Sequence, residues 1–196
     1  MTSTELHTEI EKWTHWAEIN GNRRYDIALF KIWIQFEKFL SELFRTYTLG
    51  GNSEAGYCPE RMITFQNETQ LNAFIKSENR TYVDYLPVIE RLSKYIFRND
   101  PFSKIIFEHA IYHQDYLGLM ALRNYIAHES GESKKKLIRQ CFGNLEENFK
   151  EPNDYLRSIK RGTSKSYYSY YIEVIENIVE YLIEPFDDEQ SSEAQS

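Results

Sequence analysis

From Arg23 to about Thr48 the chain runs 26 residues without a glycine or proline, and apolar side chains return every three or four positions throughout. Phe30, Trp33, Leu40 and Phe44 form one stripe, with Ile27, Ile34 and Phe36 beside it, and Glu37 falls inside the stripe. That period is a helix's, not a strand's, and it commits the chain to helical packing. Elsewhere the 8 glycines and 5 prolines of the 196 residues cluster where the periodicity breaks, which favours long helices joined by few turns.

Other segments follow the same rule. Thr2 and Glu5 have capping-box spacing and open a helix to about Ile19, which Asn20-Gly21-Asn22 stops. Leu49-Gly50-Gly51-Asn52 ends the long helix, and residues 49–67 read as a loop insertion. Two shorter helices are expected at 68–78 and 82–98. Asp100 and Pro101 then start a helix expected to run to the Ala127–Gly131 region. Ser133 is a candidate cap for a helix to about Phe149, Pro152 breaks the pattern, and Tyr167 to about Ile183 is a final amphipathic helix. No segment reads as a strand. The expected fold is an all-α bundle of about five to seven helices: one domain over residues 1–186, with an acidic, flexible tail at 187–196.

Composition bounds the functions open to such a bundle. Apolar residues at 41% supply a core, and 23 basic against 30 acidic residues give a net charge of −7, which excludes a surface coated with positive charge for nucleic acid. No apolar run is long enough to span a bilayer, and the start lacks a basic-then-apolar export signal, so a cytoplasmic location is expected. Cys58 and Cys141 are far apart without paired spacing, which fits free thiols better than a disulfide or a zinc site. There is no GxxxxGK[ST] loop, no GxGxxG and no GxSxG elbow, so nucleotide hydrolysis, dinucleotide redox and serine-hydrolase chemistry lack support.

The informative string is Leu119-Met120-Ala121-Leu122-Arg123-Asn124-Tyr125-Ile126-Ala127-His128-Glu129-Ser130. Asn124 and His128, four apart, share a helix face, whereas Arg123 lies about 140° round the axis from His128. A long side chain, a break near Ala127, or a second copy across a two-fold axis would bring the three to one point. Arg offers a fork of donors suited to phosphate, His exchanges protons near neutrality, and Asn orients an imidazole or holds an oxygen. Together they suit attack of a ribose 2′-hydroxyl on the adjacent phosphate, with no metal or cofactor. The same residues also serve as an ordinary capped helix end.

The string RNYIAHES resembles the Arg-x4-6-His motif of HEPN domains, in its Arg-Asn-x-x-Ala-His variant, and the helical pattern from Arg23 to Ile183 agrees. The resemblance implies a metal-independent endoribonuclease, a toxin or anti-phage effector acting as a homodimer on RNA and restrained by a cognate antitoxin or defence-system protein. It assigns phosphate binding to Arg123, proton transfer to His128, and assistance to Asn124, with Glu37 as a supporting acidic residue on an earlier helix. Nucleotidyltransferase-controlled members carry a Tyr two residues past the His; here that position is Ser130, which departs from that mode of control. Many HEPN domains do not cut RNA, so a non-catalytic module binding a partner protein or nucleotide is the alternative.

Lys134, Lys135, Lys136 and Arg139, just past the motif, are either a solvated helix face or a hold for RNA phosphates. Weaker candidates are a metal pair at His109 and His113 with Asp115 nearby, base stacking by Tyr167, Tyr168, Tyr170 and Tyr171, and a second basic cluster at Lys160, Arg161 and Lys165.

Overall fold

The computed structural model describes residues 1–19, 23–75, 85–107 and 110–185. Among them the backbone forms nine α-helices and one short 3-10 turn, with two isolated bridges (Arg61 with Phe97, Ile159 with Ser166) and no strand. The all-α class holds. The helices are α1 (Ser3–Ile19), α2 (Tyr25–Thr48), α3 (Glu68–Ile75), α4 (Tyr85–Ile96), α5 (Pro101–Ile105), α6 (His113–His128), α7 (Gly131–Cys141), α8 (Pro152–Arg157) and α9 (Tyr167–Ile183). The 3-10 turn covers Glu146–Asn148. The Asn20–Asn22 stop, the stretch from Tyr82 to Asp84, His109 and the 187–196 tail lie outside the described residues.

Strand-free packing centres on α2, which contacts α1, α4, α6, α8 and α9. Neighbours on several sides explain why its buried face is wider than the predicted stripe. Ala28, Leu29, Ile32, Phe39 and Leu43 join Trp33, Phe36, Leu40 and Phe44 inside, whereas Phe30 is half-buried and Ile34 is 38% exposed. Phe44 packs edge-on against Phe97 and Phe102, seating α2 on α4 and α5. The Tyr47 hydroxyl donates to the Leu182 carbonyl across 2.6 Å, and Ser53 Oγ donates to the Ile183 carbonyl across 2.6 Å. These bonds serve carbonyls in the last turn of α9, which the helix itself leaves unpaired.

The 49–67 segment is therefore an ordered set of caps. Arg61 Nη1 donates to the Thr48 carbonyl at 3.1 Å, and the Met62 amide donates to the Ile96 carbonyl at 2.7 Å. Gly50 sits at φ +85°, where side-chain-bearing residues are strained, and a Cβ there would also push the Arg61 guanidinium aside.

Cap chemistry decides the ends. Thr2 and Glu5 close the predicted box, the Glu5 amide donating to Thr2 Oγ1 at 3.1 Å and the Thr2 amide to Glu5 Oε2 at 2.8 Å. Asp100 Oδ1 accepts from the Phe102 amide at 3.0 Å, with Pro101 in the first turn, as predicted. The helix begun there is not continuous, however. It stops at Ile105, because Phe102, Ile105, Ile106 and Phe107 are all buried and three consecutive inward side chains cannot share one helical stripe. His113 Nδ1 joins the two pieces by donating to the Ile106 carbonyl at 3.1 Å.

Two further ends differ from the sequence reading. Ser130 rather than Ser133 caps α7, with Ser133 at the third position completing the box. Ser133 looked suitable because it precedes the lysines, but a cap needs extended backbone, and Ser130 (φ −87°, ψ 155°) has it. Ser130→Ala is expected to cost about 1 kcal/mol of stability, read as a lower denaturant midpoint at unchanged slope. Pro152 begins α8 instead of merely breaking a pattern, its ring sitting at the helix start where no amide hydrogen is needed. That placement sets Asn153 against the start of α2, where its Oδ1 accepts from the Tyr25 amide at 2.9 Å.

Candidate functional site

The Arg-Asn-His string forms the last two turns of α6, which runs unbroken to His128. No break occurs near Ala127, so Arg123 and His128 keep the about 140° of azimuth and about 7.5 Å of rise that five helical steps impose. Glu129 then turns left-handed (φ 45°, ψ 30°) and its amide donates to the Tyr125 carbonyl at 2.8 Å, which ends the helix. Ser130 starts α7 at once.

Arg123 is half-buried, with its side chain 32% exposed, and it faces α2. Its Nη1 donates to Asn124 Oδ1 at 2.9 Å, and its Nη2 reaches Glu37 Oε2 at 3.4 Å. The Glu37 side chain is 26% exposed, so water screens the pair and it is worth at most about 1 kcal/mol. Arg123 Nε is buried and has no acceptor. A guanidinium carries five N–H donors. Nε is shut away from solvent, so what Arg123 has left for an incoming anion is the second N–H of Nη1 and of Nη2.

Asn124 bonds to one of the two side chains and stands in line with the other. It receives the guanidinium on its amide oxygen and stands one helical turn before His128 on the same face, so Arg123 is folded towards the His128 side of α6. His128 itself is exposed at the helix end and makes no hydrogen bond or ion pair with a described residue. The structure thus joins Arg123, Asn124 and Glu37 directly, and leaves the imidazole a helical turn away, open to solvent.

Two aromatic residues that the sequence did not single out connect this end of α6 to the basic run. Tyr125 packs edge-on against Phe149, ring centroids 5.9 Å apart, and Lys134 Nζ lies 4.2 Å from the Phe149 centroid. Burial, together with repulsion from Glu151 and Glu129, pushes the Tyr125 hydroxyl above its usual range, so it stays protonated near neutrality. Comparison with protein-family models, curated proteins and solved structures finds no match. The HEPN resemblance therefore stands on the motif and its helical setting.

Of the basic run, Lys136 pairs with Glu132 at 2.9 Å and Lys134 covers Phe149, while Lys135 and Arg139 are exposed one turn apart. The lesser candidates are largely occupied by packing. Tyr168 and Tyr171 are buried, Tyr167 stacks on Tyr155 at 4.2 Å, and the Tyr170 hydroxyl donates to Asp115 Oδ2 at 2.8 Å. Lys160 lies over the Tyr170 ring and Lys165 pairs with Glu173. His113 is tied to Ile106, its partner His109 lies outside the described residues, and no group of three metal-ligating side chains occurs among those described. Burial pushes the Cys141 thiol up to about 11, which leaves it a poor nucleophile. No helix among the described residues is long and apolar enough to cross a membrane.

Proposed function

We propose that the chain is a metal-independent endoribonuclease of the HEPN type, cutting RNA at the end of α6. The observation that carries the reading is the division of labour along that helix. A guanidinium with spare donors is folded by Asn124 towards a face whose next turn presents an uncommitted imidazole. Arg123 would hold a non-bridging phosphate oxygen and stabilise the charge that builds there. His128 would move the proton. The 2′-oxygen bonds to phosphorus as the bond to the 5′-oxygen breaks, the 2′-hydroxyl proton departs, and the leaving oxygen gains one. No water or metal enters that balance, and the products are a 2′,3′-cyclic phosphate and a 5′-hydroxyl.

One imidazole per chain serves one proton at a time, and it stands a full helical turn beyond the Asn124 that holds the guanidinium. Two proton transfers and that separation support a homodimer in which two α6 ends share a cleft. Incubating the protein with single-stranded RNA in excess EDTA is expected to yield cyclic-phosphate ends. Intact RNA, or cutting that EDTA stops, would sink the reading. As a toxin or anti-phage effector, the chain should also slow growth on expression, and His128→Ala should relieve that.

Glu37 favours a second reading, a non-catalytic module that binds a partner protein or nucleotide, because its contact with Arg123 also ties α6 to α2. Under that reading Arg123→Ala lowers stability and nothing else.

A further inference from the structure

We propose that the open groove along α7 seats the phosphates of a single-stranded RNA whose neighbouring nucleotide lies at His128. The groove encloses about 550 Å³, and Gly131, Lys135, Ile138, Arg139 and Asn144 are among its lining residues. The inference rests on the ribonuclease reading of the α6 end and names the part that holds the rest of the strand.

Charge is the first argument. α7 carries four basic residues and one acidic residue in a chain of net charge −7, so the groove is locally inverted against the whole molecule. Two acids line the groove against four bases: Glu132 pairs with Lys136, and Glu146, outside α7, leaves the lining two charges positive. Lys135 and Arg139 stand on one face a turn apart, exposed and with no carboxylate partner among the described residues. Two uncompensated cations spaced along an open groove suit an extended polyanion better than a compact one.

Geometry is the second. Gly131 lines the groove and is three residues from His128, so their Cα atoms are at most about 11 Å apart. The Tyr125–Phe149–Lys134 contacts fix the groove wall to the motif helix. Leu145, between the lining residues Asn144 and Glu146, is 48% exposed and offers an apolar rest for an unstacked base. A duplex presents no such base, which favours a single strand.

The test is fluorescence anisotropy with a labelled single-stranded 2′-O-methyl oligonucleotide, which has no free 2′-hydroxyl and survives the proposed chemistry. A Lys135→Ala, Arg139→Ala double variant should bind roughly 20-fold more weakly at 0.1 M salt. Its log K against log salt should be shallower by about 1.4, the share of two phosphate contacts on a single strand. Arg91→Ala, Lys94→Ala on α4 removes equal charge and should stay within about twofold. Failure of the unaltered protein to bind, a double variant equal to it, or displacement of the oligonucleotide by poly-glutamate at equal charge would each overturn the assignment. The last would make the groove a reader of acidic peptides. Cleavage is read separately: if the unaltered protein leaves unmodified RNA intact in EDTA while the double variant still loses binding, the ribonuclease reading falls and the groove's binding result stands.

Discussion

Replacing His128 with alanine is expected to slow RNA cleavage by about 100- to 10,000-fold, the usual contribution of a positioned proton-transfer group. The melting temperature should hardly move. The imidazole is exposed at the final position of α6 and makes no bond to a described residue, and substitutions at such sites usually stay within about 0.5 kcal/mol. That separation is what makes the experiment decisive. Arg123→Ala is the less clean partner, because it removes the bonds to Asn124 and Glu37 as well as the phosphate fork. A His128→Ala protein that keeps full activity would show that the imidazole moves no proton in the reaction.

The largest loss of stability is expected from Phe44→Ala, at about 3–5 kcal/mol. Phe44 is fully buried, and its ring meets Phe97 at 6.1 Å and Phe102 at 5.9 Å, both edge-on. Deleting it removes the apolar surface and leaves a cavity bounded by α2, α4 and α5, three elements too closely joined to collapse into it. At about 2–4 °C per kcal/mol for a chain of this size, the melting temperature should fall by roughly 6–20 °C. Phe44→Leu keeps most of the volume and should cost far less. A loss below about 1 kcal/mol for the alanine variant would mean that these rings do not seat α2 on α4 and α5.

Where the sequence carried local, short-range signals, it could be read nearly to the residue. The period of α2, the Thr2–Glu5 box, the Asp100–Pro101 start and the span of α9 all depend on residues within one or two turns of each other. The α5–α6 break was hidden because consecutive apolar residues at 105–107 look like continued periodicity until their tertiary neighbours are known. Ser130 and Ser133 could not be ranked as caps without ψ. In the site, Arg123, Asn124 and His128 were visible as a motif, and Glu37 as an oddity inside an apolar stripe. That Glu37 meets Arg123 is a contact between α2 and α6, and that Phe149 joins Tyr125 to Lys134 depends on how the turn after α7 folds back. Neither leaves a spacing to detect.

The corner at Glu129 and Ser130 is two residues long, one left-handed and one an extended cap. Each residue added to a helix turns whatever follows by about 100°. One codon inserted at the start of α7 would therefore turn Lys135 and Arg139 away from their present face and carry Leu137 and Ile138 out of their buried places with them. Side-chain identity at position 129 is negotiable, since Asn or Gly suits a positive φ better than Glu does. Length is not. At this joint an insertion or deletion is the damaging lesion and a substitution the tolerable one, so the chain's register, more than its chemistry, is what this corner protects.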